Sequence, residues 1–171
     1  MKRALSALAF AVLLDGCAST VPPIPAGYTG AVATFKDSFT RLSTGAANIF
    51  YLDSIDGREI ENSLVATRGA SFNHGMSIVP VALDRKVPAQ TSTFRIVGRT
   101  DHAAPIQALT QPEYQVAGEV HFTPEADKTY VVRGELDETH SAVWIEEETG
   151  QTVMDKKIEI QGPAKLGIFE K

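Results

Sequence analysis

The sequence predicts an all-β chain: a single-domain antiparallel β-sandwich of about eight short strands. Three observations predict it. Short stretches in which apolar and polar residues alternate recur along most of the chain, as in residues 93–99 and 114–122. Turn-forming pairs such as Asp56-Gly57 and Thr149-Gly150 separate these stretches. No long stretch shows the periodicity of an amphipathic helix. The 171 residues suit one ordinary domain, and 43% hydrophobic against 22% charged residues is enough for an apolar core.

Residues 32–39 read as a short mixed strand. Residues 48–55, NIFYLDSI, are aromatic and β-branched. Asp56-Gly57 then turns the chain, since glycine accepts the positive φ of a tight hairpin. Residues 58–67 return as a strand with Ile60, Leu64 and Val65 as apolar positions. Residues 68–76 read as a loop. Residues 77–83 are apolar, but Pro80 has no N–H for a ladder, which puts this strand at an edge or a bulge. In residues 93–99, Phe94 and Ile96 share one face, and Arg95 and Arg99 the other. Residues 101–114 form a connection with a helical turn around Ile106 and Leu109. In residues 114–122, Val116, Val120 and Phe122 point inward. Residues 123–128 turn the chain, and residues 129–136 set Tyr130, Val132 and Leu136 on one face. Residues 142–147 hold the only tryptophan, Trp144, which is expected in the core between Val143 and Ile145. Residues 152–154 and 157–160 are the last strands. The domain thus covers residues 28–162, and residues 163–171 form a tail.

Residues 1–17 read MKRALSALAFAVLLDGC. Lys2 and Arg3 precede an apolar run over residues 4–14, broken only by Ser6. That run is shorter than the roughly 20 residues of a spanning helix and matches a signal h-region. Leu14-Asp15-Gly16-Cys17 resembles a bacterial lipobox. The resemblance implies that residues 1–16 are a lipoprotein signal peptide and that Cys17 is the lipidation site. Its thiol would take a diacylglycerol group as a thioether and begin the mature chain. Asp15 departs from the small or apolar residue usual there, and ordinary cleavage after Ala18 is the competing reading. Ala18, where an Asp would favour inner-membrane retention, implies an outer-membrane lipoprotein facing the periplasm. Residues 17–27 then read as the lipidated cysteine and a Pro-rich, extended tether. With one cysteine no internal disulfide forms, so the apolar core must hold the fold.

Residues 122–132, FTPEADKTYVV, resemble the hairpins of small immunoglobulin-like bacterial envelope lipoproteins, including PEGA-like domains, in which an apolar strand end and a polar turn lead into Tyr-x-Val. The resemblance implies a β-sandwich and carries no catalytic residue over. Asp127-Lys128 stand where that pattern has a glycine.

Chemistry-bearing motifs are sparse. His74, His102, His121 and His140 make no H-x-H or H-x-x-x-H pair, so no metal site and no cofactor are expected. Asp53-Ser54-Ile55-Asp56-Gly57 lacks calcium-loop spacing. Ser71, His74, Ser77 and Asp84 bring the residue types of a catalytic triad into one neighbourhood. They carry the alternative reading, a small envelope hydrolase or metal-dependent enzyme. Glu146-Glu147-Glu148 and the Glu135, Asp137, Glu138 cluster read as solvated turns, or as a docking patch for a basic partner or divalent ions. Tyr28 and Tyr114 are candidates for exposed aromatics. A net charge of −5, or 14 basic against 20 acidic residues without residues 1–16, argues against a nucleic-acid partner. The leading reading has no catalytic residue: a lipid-anchored envelope β-sandwich, a binding or structural module for an envelope protein or glycan partner.

Overall fold

Two five-stranded sheets face each other in the computed structural model, which describes residues 20–167. Residues 1–19 and 168–171 lie outside the described residues, and with them the expected signal peptide, Cys17 and the far end of the expected tail. The first sheet runs β10 (Ile158–Gln161), β9 (His140–Glu147), β8 (Thr129–Leu136), β1 (Val32–Lys36), β5 (Asp84–Pro88). The second runs β2 (Ser38–Arg41), β3 (Ala46–Ile55), β6 (Ser92–His102), β7 (Gln115–Phe122), with β4 (Arg58–Glu59) also on β3. The all-β sandwich expected from the sequence is therefore the fold. Its pairs are antiparallel except for β1 beside β8, which is parallel.

The inward residues are those the alternation marks. Phe94, Ile96, Val116 and Val120 from the second sheet meet Tyr130, Val132 and Leu136 from the first in one buried cluster. Aromatic rings join the layers: Phe35 stacks on Phe94 with centroids 5.0 Å apart, and Phe122 meets Tyr130 edge-on at 5.4 Å. Phe50 lies where both sheets carry glycine. A Cβ on Gly134 would stand 2.4 Å from its ring, and one on Gly98 3.0 Å. The absent side chains leave room for the ring.

The chain changes sheet at Asp37, between β1 and β2. Asp37 is 4% exposed. Its carboxylate accepts two hydrogen bonds from the Arg85 guanidinium, at 2.8 and 2.7 Å, from β5 of the first sheet. It also accepts the Leu52 N–H from β3 of the second sheet at 3.0 Å and the Ser63 hydroxyl at 2.5 Å. A buried charge is tolerated only with such a complete set of partners.

Several elements differ from the sequence expectation. Asp56-Gly57 does turn a hairpin, with φ of 50° and 74°, but its return strand β4 has only two residues. Residues 63–67 are not strand, nor are residues 68–71 loop: Asn62 caps a helix, α1 (Ser63–Ser71), by accepting the Val65 N–H at 3.1 Å. The buried residues of α1 are Ser63, Leu64, Thr67 and Ser71, so hydroxyls replace the apolar stripe that would have marked it. Residues 77–83 form no strand; β5 begins at Asp84. The stretch 123–128 is not a hairpin turn, because β7 and β8 belong to different sheets and the segment crosses between layers. A second helix, α2 (Pro105–Thr110), occupies the connection where a helical turn is expected.

Trp144 is not a core residue. Val143 and Ile145 are fully buried, and alternation sends Trp144 to the outer face of the first sheet. There its indole N–H donates to Glu146 at 3.0 Å and Lys157 sits 3.9 Å over the ring. Tyr114, expected to be exposed, is 9% accessible and joins the core. At the amino end, the Val21 N–H donates to the Glu59 carbonyl at 2.9 Å and its side chain packs on the core, so the chain meets the domain inside the stretch read as tether. At the other end, Leu166 N–H donates to the Glu113 carbonyl and Gln115 N–H to the Ala164 carbonyl, lining residues of the expected tail along the start of β7.

Two stability measurements check this description. Asp37→Asn keeps the shape but leaves Arg85 without its counter-charge, and urea unfolding is expected to show a loss of about 3–5 kcal/mol. Combining it with Arg85→Met should recover part of that loss; a neutral single substitution would contradict the network. Trp144→Ala should cost about 1 kcal/mol, as an outer-face cation–π pair does. Phe94→Ala should cost about 3–5 kcal/mol, as a core aromatic does. The reverse order would place Trp144 inside.

Candidate functional site

Local chemistry along α1 builds the site. Ser63, Thr67 and Ser71 recur every fourth residue and therefore share one helix face. Their hydroxyl oxygens accept the N–H groups of Leu83, Val81 and Val79, each at 2.9 Å. Four helical residues rise about 6 Å, close to the advance of two residues in an extended chain, so the two ladders stay in step. Pro80, which has no N–H, falls between two bonded positions and interrupts nothing. The backbone that reads as an edge strand is thus satisfied by side-chain hydroxyls instead of a neighbouring strand. This zipper presses α1 against the outer face of the second sheet, over Ile49, Tyr51 and Val97.

Between the carboxyl end of α1 and α2 lies a cleft of about 670 Å³. Phe72, Ala108 and Leu109 form apolar walls, with Ala103, Ala104 and Pro105 closing one side. Four large apolar side chains stand exposed on or near its rim: Phe72, Met76, Ile106 and Leu109, between 56% and 75% accessible. The polar lining comes from Arg68, Asp101, His102 and Glu113. Arg68 donates Nε and Nη2 to one oxygen of Asp101, at 3.1 and 2.8 Å. Arg99 approaches Glu113 at 3.4 Å and donates to Gln115 at 3.1 Å. Asp101 and Glu113 are almost wholly buried. Desolvation weighs against the charge of Arg68, but its hydrogen bond and attraction to Asp101, and then Glu113, outweigh this and raise its pKa. Burial, followed by the Asp53 carboxylate, pushes the nearby Tyr51 phenol well above its ordinary value, so it stays neutral. Both ring nitrogens of His102 are shielded from solvent and have no hydrogen-bond partner among the described residues.

The residues singled out in the sequence fare unevenly. Ser71 borders the cleft, but its oxygen is engaged by Val79. His74 and Ser77 follow in the turn, and their side chains make no hydrogen bond to Ser71 or to each other among the described residues; Asp84 starts β5 and is exposed. His121 pairs with Thr93 at 2.9 Å, and His140 lies 3.1 Å from Glu135. Among the described residues no group of three His, Cys, Asp or Glu side chains is placed to hold a metal ion. The acidic run is paired within the domain: Glu146 with Arg133, Glu147 with Lys128 and Glu148 with Lys36. Arg68, Asp101 and Glu113 carry no sequence signal, and His102 stands out only as one of four unpaired histidines. The four-residue spacing of Ser63, Thr67 and Ser71 was the one pattern able to reveal the helix that shapes the cleft.

Comparison of the chain with protein-family models, with curated protein sequences and with solved structures yields no significant match.

The zipper can be tested without touching the cleft lining. Thr67→Val keeps the volume but leaves the Val81 N–H without its acceptor, which should cost about 1–3 kcal/mol. Hydrogen exchange at the Val81 amide should accelerate more than at core amides of β6. Unchanged protection at Val81 would mean that the hydroxyl ladder does not hold the segment.

Proposed function

We propose that this protein is a lipid-anchored module of the bacterial envelope that binds a partner in the cleft between α1 and α2. The observation that carries this reading is the position of the cleft relative to the amino-terminal chain. β3 and β6 run the length of the sandwich. At one end Ala46 faces His102 beside the cleft; at the other Ile55 faces Arg58, next to which Glu59 receives Val21. β3 has ten residues, a length of roughly 30 Å. Three residues separate Cys17 from Val21, a reach of about 14 Å at full extension. A lipid on Cys17 therefore tethers the Asp56-Gly57 end near the membrane, with the cleft at the far pole facing the periplasm.

Binding, not catalysis, is the reading because the charged groups of the cleft and its serine hydroxyl are already engaged within the domain. Arg68 holds Asp101, Arg99 holds Glu113, and Ser71 serves a backbone N–H. An exposed apolar rim is the usual mark of a recognition surface. The hydrolase alternative through Ser71, His74, Ser77 and Asp84 lacks the hydrogen bonds that would couple a nucleophile to its base.

The test is a pair of photo-crosslinking side chains in the lipidated full-length protein, one at Phe72 and one at Asp56, activated in native envelopes. A discrete adduct of the cleft's partner is expected from position 72, and lipid adducts from position 56. Intact mass should show an acylated chain beginning at Cys17. Equal adduct patterns from both positions, or an unacylated mature chain beginning after Ala18, would overturn the reading.

A further inference from the structure

We infer that the cleft binds a neutral amphipathic small molecule, one with an apolar body and an uncharged hydroxyl- or amide-bearing head. This rests on the cleft being the protein's binding site and names the chemistry of its occupant. The volume of about 670 Å³ lies within the range of small-molecule pockets, and the lining has their composition: apolar walls with a few polar groups.

The charge pattern selects the head group. Two cations and two carboxylates line or adjoin the floor, and they compensate one another: Arg68 with Asp101 at 2.8 Å, and Arg99 with Glu113 at 3.4 Å. A ligand carboxylate approaching Arg68 meets the Asp101 oxygen that already shares that guanidinium. A ligand ammonium approaching Asp101 meets Arg68. Either would be desolvated beside a pair with no surplus counter-charge, which costs more than the contact returns. An uncharged head avoids this. Arg68 is half exposed and both its bonds to Asp101 use Nε and Nη2, so Nη1 remains as a donor toward the cleft. His102 lines the same floor, but both its ring nitrogens are shielded from solvent, so it adds contact surface and no polar group to the cleft. A hydroxyl or amide oxygen can accept from Arg68 Nη1 without bringing a charge; a purely apolar head would leave that donor unanswered. The body of the ligand would lie against Phe72, Ala108 and Leu109, where burying exposed apolar surface drives association.

The experiment uses the chain from Ala18, which contains every described residue and lacks the acyl attachment point. Octyl glucoside, octanoate and octyltrimethylammonium, each below its micellar concentration, are titrated against it and followed by amide chemical shifts. The expected result is saturable binding of octyl glucoside, with shifts at Arg68, His102 and Leu109, and at least about tenfold weaker binding of both charged amphiphiles. Leu109→Glu should abolish it; if that variant fails to fold, Phe72→Ser serves instead. Equal or tighter binding of either charged amphiphile would overturn the inference, as would no shifts at the cleft. A discrete macromolecular adduct from position 72 in envelopes, without amphiphile binding in the cleft, would overturn this inference and leave the wider proposal standing.

Discussion

The sandwich depends on one buried carboxylate. Asp37 stands where the chain leaves one sheet for the other, and its oxygens gather groups from both layers and from α1. Hydrophobic burial brings the sheets together but is not directional, so it does not set how they align. A bidentate guanidinium–carboxylate pair does, because its two parallel bonds tolerate little displacement. Arg85 draws β5 against β1, the Leu52 N–H holds β3, and the Ser63 hydroxyl sets where α1 begins. The same Ser63 oxygen accepts Leu83 N–H, so the carboxylate is also the first rung of the hydroxyl zipper.

From that rung the geometry runs outward to the cleft. Ser63, Thr67 and Ser71 fix the rotation of α1, which sets Arg68 above Asp101 and carries Phe72 to the rim. The opposite wall depends on α2, which buries none of its own residues; at its amino end the Ala104 N–H donates to Gln107, and the preceding Ala103 N–H to the Gly45 carbonyl.

Strand alternation was legible because it follows from one-sided burial: Phe94, Ile96, Val116, Tyr130 and Val132 all point where their spacing says. Trp144 was misjudged because hydrophobic character outweighed alternation; its flanking Val143 and Ile145 cannot both be inward unless Trp144 is outward. α1 was unreadable by hydrophobic periodicity because its buried face is mostly hydroxyl. The segment 77–83 looked like a strand because it is extended and apolar, yet what satisfies its backbone lies on a helix and leaves no trace in its own residues.

By itself the sequence determined the class of fold and most of the strand residues that point into its core, because both are written in local patterns of hydrophobicity. Tertiary structure alone decided which sheet each strand joins, that Asp37 meets Arg85 and that Arg68, Asp101, His102 and Glu113 share one cleft. Those partners lie far apart along the chain, and no local periodicity encodes a contact made only after both sheets have closed.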